Sequence, residues 1–318
     1  MKPLKYLFIS SMLFVATSCG NSWLDLEPST SVDTETSIKI LSDVEFTLNG
    51  IYSTMQSSDA YSGRLVYYGD VTGDDMQAVS STKRVANYYR FNFTKDDNPS
   101  SHWSYLYSII QNCNLILMNI DKLVIDEDDK AYRDDLKGEA LAIRGLALFD
   151  LTRIFGYPYL KDNGASLGVP IIEGLSTIDS KPTRNTVAQC YTKIIDDLTQ
   201  SLSLLGEKFN KGKINKWGAM VLLSRVYLYK GENANALKMA SDAITGAEKN
   251  KYALWTNEDY PTAWGEDASA SKPGEVLFEI VNLTTDSPGK ESMGYLNSYD
   301  GYDDMCITCS FYQFLKED

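Results

Sequence analysis

A chain of 318 residues, 43% of them hydrophobic, is long enough for one large or two modest domains with a real core. A net charge of −13 excludes nucleic acid and anionic lipid as partners held through a basic face, and one histidine (His102) beside five cysteines excludes a His-rich metal centre. Aromatic residues make up 12%, with 21 Tyr against 11 Phe and 5 Trp, a balance that suits half-apolar, hydrogen-bonding surfaces as well as ordinary helix packing.

Lys2 and Lys5 precede an apolar run from Tyr6 to about Ala16, which is too short to span a bilayer and reads as a secretory signal over residues 1–18. It ends in Ala16-Thr17-Ser18-Cys19, the pattern of a lipoprotein cleavage site. Cys19 is therefore the expected lipid attachment residue, and several acyl chains would make a permanent membrane anchor. A tether follows, Trp23-Leu24-Asp25-Leu26-Glu27-Pro28. Ile40, Val44, Leu48, Ile51 and Met55, three and four apart, predict a helix over about 36–57. Residues 58–99 hold no sustained period and are expected to form a long functional loop. Helices are predicted over about 100–120, with His102 at its exposed start, and over about 130–155, with the stripe Leu136, Ala140, Ile143, Ala147 and Leu151. The acidic run Asp126–Asp129 is a solvated turn between them. After a Gly- and Pro-rich loop, Asn185 or Thr186 caps a helix through Val187, Tyr191, Ile194, Leu198 and Leu205.

From Asn215 to Gly246, Leu223, Ser224, Tyr227, Gly231, Ala236, Ala240 and Ala243 fall in the register of a tetratricopeptide repeat: small residues for close helix approach, Tyr227 in the groove, Gly231 at the turn. One repeat is too few for a stable stack, so neighbouring helices must complete the layer. Glu275–Val281 is predicted as a buried strand, and Ser310–Asp318 as a helical run. The fold class is mainly α, with tetratricopeptide-like pairs, a loop-rich face and a small β or irregular C-terminal region.

These motifs, in this order, resemble the SusD/RagB family of outer-membrane nutrient-binding lipoproteins. The resemblance rests on the tether after Cys19, on Glu139-Ala140-Leu141-Ala142-Ile143-Arg144-Gly145 running to Phe155-Gly156, on Gly168-Val169-Pro170-Ile171 and Thr183-Arg184-Asn185-Thr186-Val187, on the repeat from Asn215 and on Glu275–Glu279. It implies a helical domain over 19–250 and the start of a C-terminal domain over 251–318. Family members usually continue past this point, so the resemblance also implies that the C-terminal domain is cut short. It further implies a cell-surface, lipid-anchored receptor on the outer membrane that captures oligosaccharide or polysaccharide for a SusC-like TonB-dependent transporter, with no cofactor and no bond cleavage. A peptide-binding helical scaffold and a glycoside hydrolase are the alternatives, although no motif selects a catalytic carboxylate pair.

Sugar recognition needs flat apolar faces flanked by polar groups. Two clusters qualify. Asp75, Arg84, Asn87, Tyr88 and Tyr89, with Tyr67 and Tyr68 upstream, lie in the stretch that supplies the family's sugar-binding residues. Trp255, Tyr260, Trp264 and Tyr295 form the second, of which Tyr260 and Trp264 precede the strand where the family keeps structural aromatics. Gly73-Asp74-Asp75 and Asp300, Asp303, Asp304 are expected to be solvated acidic loops rather than calcium ligands. Cys306-Ile307-Thr308-Cys309 lacks the further ligands of a zinc site, and Cys113 and Cys190 are expected to be buried.

Overall fold

The computed structural model describes residues 37–317 apart from 95–99, 178, 208–209, 211 and 264–273. Cys19 and Trp264 lie outside the described residues. Residues from Ile38 onward form one compact unit. Its elements are α1 (Leu41–Met55), α2 (Arg64–Thr72), β1 (Met76–Ala78), α3 (Ala86–Tyr89), α4 (Ser100–Asn119), α5 (Lys130–Phe155), α6 (Val187–Leu204), α7 (Lys216–Lys230), α8 (Asn233–Lys249), α9 (Tyr260–Ala263), α10 (Met293–Asn297), β2 (Met305–Ile307) and α11 (Cys309–Glu317). The fold is mainly α, as the periodicity predicts.

The long helices pack in chain order: α1 on α4, α4 on α5, α5 on α6, α6 on α7, α7 on α8. At the centre of this layer, α5 is buried on every side from Gly138 to Thr152, and the charged groups within that stretch, Glu139, Arg144 and Asp150, are hydrogen-bonded to Tyr52, Asp197 and Tyr61. Gly145 faces Leu198 of α6, where an added Cβ would stand 3.0 Å from the leucine Cγ. Two observations confirm the repeat geometry of α7 and α8. Gly231 ends α7 at φ +84°, a left-handed cap suited to glycine, and the Ser224 hydroxyl donates to the Ala236 carbonyl at 2.8 Å. Thr186 starts α6, its hydroxyl accepting from the Gln189 N–H while the Gln189 side chain accepts from the Thr186 N–H.

Three expectations need correction. The stretch expected to be one irregular loop instead contains α2, β1 and α3 among its described residues, 58–94. The segment 275–281 is irregular, with bends at Glu275 and Leu277, and has no strand partner among the described residues, where the one sheet is β1 paired antiparallel with β2. Side-chain amides take the place of a ladder: Asn215 Nδ2 donates to the Leu277 carbonyl at 2.7 Å and Gln56 Nε2 to that of Val281. Phe278 and Ile280 then pack on the main core. Finally, His102 is 1% exposed rather than a surface residue, because it lies beneath Tyr68 with Nδ1 3.1 Å from the Asp59 carbonyl oxygen. Cys113 and Cys190 are buried free thiols.

Asn215 links the repeat to the segment that follows it. Its Oδ1 caps α7 by accepting from the Trp217 and Gly218 N–H groups, both at 3.1 Å, while its Nδ2 holds the carbonyls of Asn210 and Leu277. Loss of a cap alone costs about 1 kcal/mol, and buried partners left unsatisfied add about 1–3 kcal/mol. Asn215→Ala is expected to destabilise the protein by about 2–4 kcal/mol in urea unfolding, with Asn215→Asp retaining the cap and recovering part of the loss.

Candidate functional site

A second, smaller core carries the site. On α2, Tyr67 and Val71 stand four residues apart and turn inward against Val85, Leu296 of α10 and Met305 of β2, with Tyr88 packed at the edge. The β1–β2 register pairs Met76 with Ile307, Gln77 with Cys306 and Ala78 with Met305. Segments more than 200 residues apart in sequence thus form one platform.

Arg84 joins the two halves. Its guanidinium donates to the Glu291 carboxylate at 3.0 and 3.2 Å, and its Nε lies 3.2 Å from Asp304 Oδ2. The guanidinium carbon sits 4.0 Å from the centre of the Tyr302 ring, a cation–π arrangement. Tyr302 in turn meets Tyr295 edge-on at 5.1 Å, and Lys83 donates to the Tyr302 carbonyl. Asp304 is only 4% exposed, so this residue is not part of a solvated acidic loop. Its carboxylate is the buried anchor of Arg84.

Aromatic rings continue across the face. Tyr68 meets Tyr88 edge-on at 5.3 Å, and both approach Phe93, at 6.4 and 6.0 Å. Phe91, next to Phe93, has a φ of +53°, a conformation disfavoured for a bulky side chain, and is 63% exposed. Backbone strain of this kind is tolerated where the surrounding structure imposes it and collects at functional sites. The Tyr89 ring, at the end of α3, is also exposed. Burial holds the His102 imidazole below its ordinary pKa, so the base of this cluster is neutral near pH 7.

Of the residues singled out in sequence, Arg84, Tyr88 and Tyr295 come together on this platform, and Tyr89 is exposed at the end of α3. Asn87 sits half-buried in α3, its carbonyl accepting from the Asn92 N–H. Asp75 is exposed at the start of β1, where its carbonyl accepts from the Thr308 N–H. Trp255 belongs elsewhere: it meets Tyr260 edge-on at 6.2 Å, with its backbone N–H on Glu275. Tyr260 is exposed, not a core aromatic. Tyr302, Glu291, Phe91 and Phe93 were not anticipated. Nothing in the Gly- and Asp-rich sequence around Tyr302 marks it out, because its role depends on Arg84 more than 200 positions away. Cys306 lies in β2 and Cys309 opens α11, both exposed free thiols. Among the described residues, no group of three or more His, Cys, Asp or Glu is placed to hold a metal ion, and no helix is long and apolar enough to cross a membrane.

Comparison with known proteins matches residues 22–228 to the SusD-like family described as starch-binding and associating with the outer membrane. A SusD-like protein P2 of Formosa agariphila is 28% identical over 313 residues, covering 95% of this chain and 57% of that protein. A solved Bacteroides vulgatus structure, assigned to sugar binding, is 82% identical with a TM-score of 0.87 and covers 89% of this chain and 63% of that one. A SusD-superfamily structure from Bacteroides thetaiotaomicron is 38% identical, with a TM-score of 0.78, over 88% of this chain and 62% of that one. The chain thus spans somewhat under two-thirds of the length of these relatives. The match of the family over most of the helical layer, together with the likeness to these structures, leads to one conclusion: the chain belongs to the SusD/RagB family.

Proposed function

We propose that this protein is a cell-surface receptor that holds a neutral oligosaccharide on the platform of Tyr302, Tyr295, Tyr89 and Phe91 and passes it to a SusC-like TonB-dependent transporter without cleaving it. The observation that carries the reading is the ring array itself: the exposed rings of Tyr302, Tyr89 and Phe91 and the half-buried ring of Tyr295, with the Arg84 guanidinium fixed against Tyr302, the combination a sugar needs for stacking and for its hydroxyls. Family membership and the description of the family as starch-binding and associated with the outer membrane support it. Lipid attachment at Cys19 accounts for the location, and a protein so anchored has its ligand delivered by diffusion from outside. Asp75 and Asn87 border the platform as hydroxyl partners, and Trp255 belongs to a separate, secondary surface with Tyr260.

The test is calorimetry of the purified chain against a panel of neutral oligosaccharides, including maltooligosaccharides and β-glucan fragments. Stacking on a few surface rings implies weak binding, on the order of micromolar to millimolar. Tyr302→Ala and Phe91→Ala are each expected to weaken binding by about 1 kcal/mol, roughly fivefold, with little change on adding salt, since no ion pair with the ligand forms. Binding that is indifferent to both substitutions would move the site away from this platform. Failure of every glycan in the panel would defeat the receptor reading.

A further inference from the structure

His102 is the one histidine of the chain, and it stands third in α4, at the positive end of the helix dipole. Its surroundings suit the uncharged ring. Nδ1 lies 3.1 Å from the Asp59 carbonyl oxygen. A carbonyl offers only lone pairs, so Nδ1 carries the proton and Nε2 is left as an acceptor. Nε2 is buried and has no hydrogen-bond partner among the described residues. The Tyr68 ring of α2 meets the imidazole edge-on at 5.7 Å, and the Tyr88 ring of α3 approaches to 6.5 Å. Among the described residues, the charged groups acting on the ring are Asp59, in the turn before α2, and Arg64, at the start of α2. These two are already paired with each other at 2.7 Å.

A second proton on the ring has to go on Nε2. The product is a buried cation whose new N–H finds no acceptor, and such a group is costly. The cation reaches water only if Tyr68 and Tyr88 lift away. Helix α4 is held between α1 and α5 in the main core, whereas α2 and α3 belong to the smaller core, which a three-residue sheet closes. The smaller core is therefore the side that yields. We propose that protonation of His102 opens this smaller core, so that the ring platform is assembled at neutral pH and comes apart in mild acid. The sign follows from burial, which holds the imidazole below its ordinary 6.5; Arg64 acts in the same direction, and the Asp59 carbonyl and carboxylate in the other. The open state thus binds the proton more tightly than the closed one. Platform stability is fully present well above pH 6.5 and is lost as pH falls below it. Asp70 of α2 acts oppositely, since burial and Asp75 raise its carboxyl. On the receptor reading given above, the opening releases glycan in acid; the opening itself does not rest on that reading.

Amide exchange of the purified chain, without ligand, tests this. After correction for the intrinsic effect of pH, exchange in residues 64–72 and 86–92 should quicken by about threefold or more from pH 7.5 to pH 5.5. The ceiling is about tenfold, set by one proton and an open-state value of 6.5. Helix α5 should show no such increase, because Glu139 takes up a proton over the same range and strengthens the main core. His102→Asn keeps a donor for the Asp59 carbonyl and cannot ionise, so its platform exchange should be flat with pH. The imidazole proton resonance of the native chain, the only one of its kind, should titrate below pH 6.5 and needs no variant. Titration at or above pH 6.5, native platform exchange that is flat with pH, or a pH dependence that survives in His102→Asn each overturns the inference. A glycan bound on the platform should also bind about threefold or more weakly at pH 5.5 than at pH 7.5. A chain that opens through His102 yet binds no glycan would defeat the receptor reading and leave this one standing.

Discussion

Asp197→Ala is expected to lose about 3–5 kcal/mol of stability, the largest effect of any single substitution considered in this molecule. Asp197 is 0% exposed, and both its oxygens hold Arg144, at 2.7 and 2.8 Å. The remaining Arg144 amine donates to Asn114 Oδ1, and Asn114 Nδ2 holds the carbonyls of Ile172 and Gly174. Removing the carboxylate therefore strands a buried guanidinium at the junction of α4, α5 and α6 and loosens the 171–174 loop. A buried pair is not by itself strongly stabilising, because desolvation of both ions offsets their attraction, whereas an ion left alone is costly. The contrast is testable: Arg144→Met with Asp197→Leu should unfold within about 1–2 kcal/mol of the native protein in urea. Equal losses for the single and the double variant would show that the network acts through shape rather than charge.

Stability should also fall between pH 5 and pH 8 because of Glu139. Its side chain is 3% exposed on α5, accepting from the Tyr52 hydroxyl at 2.8 Å, and that hydroxyl accepts from the Ile214 N–H at 2.9 Å. Burial pushes the Glu139 carboxyl up to about 7, with Lys213 and the Tyr52 hydroxyl acting in the other direction. Its ordinary value, close to that in the unfolded chain, is 4.5. The folded protein therefore holds the proton more tightly than the unfolded one. The resulting stabilisation is complete below pH 4.5 and is lost progressively as pH rises through 7, by about 3 kcal/mol. Glu139→Gln keeps an acceptor for Tyr52 and cannot ionise. It should match the native protein at pH 5 and exceed it by about 3 kcal/mol at pH 8, and a gap that does not widen with pH would locate the titration elsewhere.

These two sites also show what the sequence could and could not reveal. The α5 stripe was legible because apolar residues recur every three or four positions, and the repeat from Asn215 because Ala236, Ala243 and Gly231 are small where helices must approach or turn. Both are local signals. The Glu275–Val281 run is apolar enough to read as a strand, yet composition alone does not distinguish a laddered strand from an irregular segment held by side-chain amides. The stretch 58–99 was opaque for a related reason: β1 is three residues long and acquires its partner from residues 305–307, so no period within it announces a strand. His102 looked like a surface residue beside Trp103 until Tyr68 covered it. Arg84 was recognised as important from its setting, but its anchors, Glu291 and Asp304, lie in a segment that looked merely acidic.

The pairing of residues 76–78 with residues 305–307 sets the order in which the molecule can assemble. Helices α4 to α8 meet their neighbours within short spans of chain, whereas the platform requires closure of a loop of more than 200 residues and gains a three-residue sheet in return. Loop-closure entropy makes such long-range contacts slow to form and early to open. The helical layer should thus be the persistent folding unit, with the ring platform a low-stability unit that opens without global unfolding. A ligand bound across Arg84 and Tyr302 would act as the clasp of that unit, slowing amide exchange in residues 64–94 and 291–307 while leaving the exchange of α5 unchanged.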